Sequence, residues 1–161
     1  MLGCPHIELD GLYHQADWQP LEVEEFRRRL DQAISVPTWV VDGNYSAVRQ
    51  HVWEEADTVV FLDLPLSVVL PRLVLRTVRR VITQEELWNG NREPMANLYT
   101  LDPQRSVIAW SVTHFALVRQ RYTEATQDPR WSHLHFIRLC SASQVQQFMK
   151  NFTEAVAKGE R

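Results

Sequence analysis

The sequence predicts a three-layer α/β/α fold, a parallel sheet with helices on both faces. Two observations predict it. Short β-branched and apolar runs alternate with longer stretches whose apolar residues recur at helical spacing, and three of the strand-like runs end in an aspartate: Asp10, Asp42 and Asp63. No internal repeat or linker-like stretch breaks the alternation, so residues 1–161 read as one domain.

Residues 6–9 form the first strand, which runs into a loop at Asp10-Gly11. Leu21, Val23, Phe26, Leu30 and Ile34 make a helical stripe between Pro20 and Pro37. Residues 38–41 are the second strand, closed by Asp42-Gly43-Asn44, and Ser46 suits the cap of a helix carrying Val48, Val52 and Trp53. Thr58–Leu62 is the third strand. A helix follows from Ser67 to about Ile82, with Pro71 expected in its first turn, where the missing N–H is tolerated. Residues 83–100 are polar, contain Asn89-Gly90-Asn91 and Pro94, and read as a long loop or small lid. Asp102-Pro103 reads as a helix start, and the stripe Ile108, Val112, Phe115, Val118 and Tyr122 carries that helix to Asp128-Pro129. His135–Leu139 is the fourth strand. A last amphipathic helix carries Val145, Phe148, Met149, Phe152 and Val156 and fades at Gly159. Trp39, Trp53, Trp110, Phe115 and Phe148 fall on apolar faces and read as core, whereas Trp18 sits in a polar segment and reads as pocket lining.

Composition narrows the function classes. With 45% hydrophobic and 23% charged residues the chain has the make-up of a folded protein, not a disordered one. A net charge of −3 argues against a protein that coats nucleic acid, so nucleic acid is not an expected partner. No apolar run approaches the roughly 18 residues of a spanning helix, and no signal peptide opens the sequence. A cytoplasmic protein without a membrane partner is expected. Cys4 and Cys140 fit neither a disulfide framework nor a metal motif, and the six histidines show no ligand spacing, so no structural metal is expected.

In open α/β sheets ligands bind beyond the carboxyl ends of the strands, which makes Asp10, Asp42 and Asp63 candidates for one site. Each suits a cap or turn equally well. Asp10 and Asp42 are each followed by glycine, which lets the backbone turn close to a ligand, while Asp63 runs into the ordinary turn Leu64-Pro65. The second feature is an arginine line. Arg72, Arg76, Arg79 and Arg80 fall largely on one side of a helix, and no acidic residue lies between Leu64 and Gln84 to neutralise them. A solvated helix face is the usual meaning of such a run, but the missing acids favour anion binding, with Arg92, Arg119 and Arg121 able to join. Arginines beside a polar loop suit phosphoryl transfer, where charge on the equatorial oxygens must be clamped and shielded from water.

Four segments together resemble the adenylate-kinase-like P-loop proteins often labelled topology modulation proteins. They are Pro5-His6-Ile7-Glu8-Leu9-Asp10, Trp39-Val40-Val41-Asp42-Gly43-Asn44-Tyr45-Ser46, residues 57–65, and Glu85-Glu86-Leu87-Trp88-Asn89-Gly90-Asn91-Arg92-Glu93. The resemblance implies the nucleoside-monophosphate-kinase sheet, five parallel strands in the order 2-3-1-4-5. It also implies transfer of a phosphoryl group from ATP, with Mg²⁺, to a small-molecule or nucleotide substrate. Asp10 would then bind or deprotonate the acceptor hydroxyl, with Glu8 close to a metal-bound water and Asp42 holding Mg²⁺ through water. Asn44, Tyr45 and Arg49 would line the acceptor pocket, Trp18 and Asn91 would join the substrate-binding set, and Arg76, Arg80 and Arg92 would act as catalytic lid arginines over the phosphates.

One departure is large. The family's first strand and its Gly-x-x-x-x-Gly-Lys-[Ser/Thr] loop are not in these 161 residues, and Met1-Leu2-Gly3 resembles the end of the helix that follows that loop. The sequence fits a start internal to a longer gene product, or a relative without the loop. Without the backbone nest and lysine, ATP is expected to bind weakly if at all and transfer to be absent. The alternative function is a non-catalytic small-molecule or nucleotide-binding module; an association with DNA topology rests on the family label alone. The absent strand would lie between the second and third strands here. An empty slot would leave backbone groups unpaired at about 1–3 kcal/mol each, so those two strands are expected to pair directly or to receive a strand from another chain, as in a homodimer.

Overall fold

The computed structural model describes residues 3–158; the helix-end reading of Met1-Leu2 and the fading at Gly159 lie outside the described residues. Among the described residues the chain is mixed α/β, with seven α-helices and two small parallel sheets of two strands each. It divides into two compact units, one holding residues up to Glu55 with Gln84–Arg92, the other holding Ala56–Thr83 and the chain from Glu93 onward.

The amino-terminal unit contains β1 (His6–Glu8), α1 (Leu9–Tyr13), α2 (Val23–Ile34), β2 (Val40–Asp42) and α3 (Ser46–Glu55). β1 and β2 run parallel, with Ile7 opposite Val41 and Glu8 opposite Asp42. The α2 stripe places Phe26 and Leu30 one turn apart, and both are fully buried against Leu9 and Val48. Burial of each such side chain contributes about 1.5–3 kcal/mol. Tyr13, Phe26 and Tyr45 form an aromatic cluster around this core, with ring centroids 4.7 Å (Tyr13–Tyr45), 5.2 Å (Tyr13–Phe26) and 5.5 Å (Phe26–Tyr45) apart.

Two expectations change here. The first strand stops at Glu8, because Leu9 opens a helix whose first turn holds Asp10, an acid suited to the positive helix end. The glycines after the aspartates serve packing within this unit. Gly43 has φ +134°, and a Cβ there would lie 2.7 Å from Leu9 Cβ; a Cβ on Gly11 would lie 2.9 Å from Trp88 Cδ1. The close approach is to the protein's own core.

The carboxy-terminal unit contains β3 (Thr58–Leu62), α4 (Leu66–Thr83), α5 (Ala96–Tyr99), α6 (Val107–Ala125), β4 (His135–Leu139) and α7 (Ala142–Lys158). β3 and β4 pair in parallel along five residues, from Thr58 opposite His135 to Leu62 opposite Leu139. Phe61 stacks on Tyr122 of α6 at 4.6 Å, and α4 buries Leu73, Thr77 and Val81 at i, i+4, i+8 spacing. Pro71 lies inside α4, beyond the first turn expected for it, so the Ser67 carbonyl loses its helical donor. α6 does not begin at Asp102-Pro103. Asp102 instead closes a separate turn, its Oδ1 accepting from Gln104 N at 2.9 Å, and Ser106 Oγ caps α6 by accepting from Ala109 N at 3.3 Å. Trp110, expected in the core, is exposed and stacks on His114 at 4.8 Å.

Direct pairing of the second and third strands is not found among the described residues: β2 bonds to β1, β3 bonds to β4, and the two sheets are separate. The chain leaving β2 returns through α3 to its own unit before β3 begins. Val40 of β2 and Val60 and Leu62 of β3 are exposed. No helix of the described residues is long and apolar enough to cross a membrane.

Candidate functional site

The amino-terminal unit gathers polar side chains just past the end of β1. Tyr45 OH donates to Asp10 Oδ1 at 2.5 Å and lies 3.1 Å from His14 Nε2. Asp10 and His14 are four residues apart, and His14 N donates to Asp10 O at 3.0 Å, so one helical turn brings both side chains to Tyr45. Tyr45 arrives from the turn after β2, beside Asn44, whose Oδ1 accepts from Arg49 Nε at 3.1 Å. Four of the expected acceptor-pocket residues, Asp10, Asn44, Tyr45 and Arg49, thus stand in two linked pairs.

Electrostatics keep this cluster neutral at His14 and Tyr45. Burial lowers the His14 pKa from 6.5, opposed by the Asp10 charge. Burial raises the Tyr45 pKa, and the bond to Asp10 adds to it, so the phenol keeps its proton. His14 Nδ1 is buried with no hydrogen-bond partner among the described residues.

The Trp-Asn-Gly-Asn segment, more than 70 residues further along the chain, closes over the same region. Asn89, at φ +56°, donates from Nδ2 to Gly11 O at 3.1 Å and His14 O at 2.5 Å, taking up carbonyls at the end of α1. Asn91 is buried. Its Oδ1 accepts from Trp18 N at 2.7 Å, and its Nδ2 donates to Gln15 O and Trp88 O, both at 2.8 Å. Trp18 Nε1 donates to Arg92 O at 2.9 Å, and Trp88 Nε1 donates to Glu8 Oε2 at 2.7 Å. Asn91, Trp18 and Glu8, singled out as substrate or metal-water residues, therefore spend these groups on holding residues 84–92 against α1. Arg92 is exposed and donates from Nη1 to Gln84 O at 2.6 Å. Asp42 is exposed in register with Glu8.

Arg72, Arg76 and Arg79 are exposed on α4 in the other unit, and Arg80 is half-buried. Arg80 and Arg76 act on Glu93, whose carboxyl is pushed up by burial and held down by the Asn97 hydrogen bond and these two arginines. Asp63 is 5% exposed and is paired on both oxygens: Arg119 Nε lies 3.0 Å from Oδ1, and Arg138 reaches Oδ2 through Nε at 2.8 Å and through Nη2. Arg119 is thereby drawn away from the expected anion cluster. Asp63, the aspartate with the plainest sequence context, is the most heavily paired of the three.

No family model, curated protein or solved structure matches this chain. The site rests on its geometry. Sequence reasoning missed His14, although its i, i+4 spacing from Asp10 was readable, and it missed Arg138, whose β4 position gave no hint of a partner 75 residues earlier.

Proposed function

We propose that this chain is the acceptor-binding part of an adenylate-kinase-like phosphotransferase and binds a small phosphorylated molecule, such as a nucleotide, without transferring phosphate by itself. The observation that carries this reading is the Asp10–Tyr45–His14 cluster at the carboxyl end of β1, with Asn44 and Arg49 beside it. A carboxylate held by one oxygen has its other oxygen available to an acceptor hydroxyl. The pairing of β1 with β2 and of β3 with β4, both parallel, supports this reading, in which they would be the neighbours 2-3 and 4-5 of the order 2-3-1-4-5. Within the other unit, Arg72, Arg76 and Arg79 are exposed on α4, the arginine line that the sequence reads as anion-binding.

These 161 residues hold no Gly-x-x-x-x-Gly-Lys loop to cradle the phosphates of ATP, so the reading includes no step through ATP, and Asp42 is the carboxylate that would hold Mg²⁺ through water. The reading also implies a partner strand, from a homodimer or another chain, along the edge of β3 that β4 leaves unpaired.

Thermal shift with nucleoside monophosphates tests the acceptor half. A ligand at about 100 times its Kd adds about 2.7 kcal/mol, and Tyr45→Phe is expected to reduce that shift. No shift with any monophosphate, or an equal shift in Tyr45→Phe, overturns the reading. Titration calorimetry with Mg-ATP is expected to give binding weaker than micromolar.

A further inference from the structure

A tyrosine hydroxyl has one proton to give, and Tyr45 lies within reach of two partners, Asp10 Oδ1 and His14 Nε2. The hydroxyl donates to Asp10 Oδ1, so its proton is spent there, and the contact with His14 is favourable only if Nε2 carries the hydrogen. The rest of the ring agrees. Nδ1 is buried without a partner among the described residues, so a proton there would be unsatisfied, whereas a lone pair costs less. Asn89 and the aromatic edges of Tyr13 and Trp18 hold the ring and its backbone in place, with ring centroids 5.2 Å and 5.1 Å from His14.

We propose that His14 is a positioning residue: as the Nε2–H tautomer it donates to the Tyr45 oxygen, commits the phenolic proton to Asp10 Oδ1, and leaves Asp10 Oδ2 as the oxygen that meets an acceptor hydroxyl. This rests on the acceptor-site reading of Asp10. The ring stays neutral, and its part is to fix the direction of a hydrogen-bond chain. Glutamine at this position offers an N–H donor of similar reach; phenylalanine fills the space and offers none.

Long-range proton–nitrogen NMR spectra of the full chain at neutral pH test the tautomer directly, with no ligand present. A protonated Nε2 and a bare Nδ1 are expected; the opposite tautomer or a charged ring overturns the proposal. In Tyr45→Phe the signal is expected to move toward a mixture of tautomers, and an unchanged signal overturns it. Exchange of the Tyr45 hydroxyl proton with water is expected to quicken several-fold in His14→Phe and to recover in His14→Gln, while equal rates in all three proteins overturn it. These readouts do not depend on a ligand, so failure of nucleotides to bind would count against the acceptor reading and leave the tautomer result standing.

Discussion

The two units are each built on a parallel strand pair with helices, yet they are held by different interactions. The amino-terminal unit has a closed apolar centre, Leu9, Phe26, Leu30 and Val48, and its ties between distant segments run through the amides of Asn89 and Asn91, the phenol of Tyr45 and the indole of Trp88, while Arg27, Arg28 and Arg29 pair with Glu24 and Glu25 along α2 itself. The carboxy-terminal unit has a longer strand pair but a thinner core, and its helices leave Leu75 71% and Ile82 74% exposed. Its central tie is ionic, one buried carboxylate between two guanidinium groups. Amide hydrogen bonds between neutral groups are little changed by salt and depend on shape, whereas ion pairs whose arginines reach water are screened by salt and depend on charge. A parallel pair can be stabilised either way, and the choice decides what each unit is sensitive to.

The sharpest test of the contrast is Phe26→Ala against Leu75→Ala. Phe26 is 0% exposed, so its truncation is expected to cost about 3–5 kcal/mol in urea unfolding. Leu75→Ala is expected within about 0.5 kcal/mol of the parent. Similar losses in both would mean that the exposed face of α4 is covered in solution.

Next comes Asn91→Ala, which strands the Trp18 N–H and the Gln15 carbonyl, while the Trp88 carbonyl keeps the backbone N–H of residue 91. About 1–3 kcal/mol is expected, with hydrogen exchange accelerating at residues 15–18 and 84–92 and not in α4 or α6. Asp63→Asn is expected to destabilise β3 and β4 by less than Phe26→Ala does, because Arg119 and Arg138 are half in water. Its signature is salt: the parent's margin over the variant shrinks as ionic strength rises, and a margin independent of salt contradicts the ionic account of this unit.

The smallest expected effect separates the units by pH. His14 has a folded pKa below 6.5, so its contribution is complete above 6.5 and is lost as pH falls through the folded value. Glu93 has a folded pKa above 4.5, so its contribution is present below 4.5 and is lost as pH rises through the folded value. Hydrogen exchange resolved by unit is expected to show the amino-terminal unit weakening with acid, with His14→Gln flattening that slope. Glu93→Gln is expected to flatten the opposite slope in the other unit.

Local pattern determined most of the elements. The spacing of Phe26 and Leu30 set α2, and the β-branched run of β3 and the apolar, aromatic run of β4 placed those strands at their observed ends, because amphipathic period and β-propensity act within a few residues. Asp10, Asn44, Tyr45 and Arg49 were grouped only by what the resemblance implies, and the structure joins them as the pairs Asp10–Tyr45 and Asn44–Arg49. Helix starts were less so: Asp102-Pro103 and Ser106 are both good caps, and only the packing of α6 chose the second. What tertiary structure alone decided was the use of each polar side chain. Asn91 and Trp18 read as ligand-facing, but partners more than 70 residues away in sequence claimed their hydrogen-bonding groups. Asp63 read as a plain turn, but Arg138 and Arg119 met it from β4 and α6. A buried polar group must find a partner wherever the fold brings one, and sequence spacing carries no record of that distance.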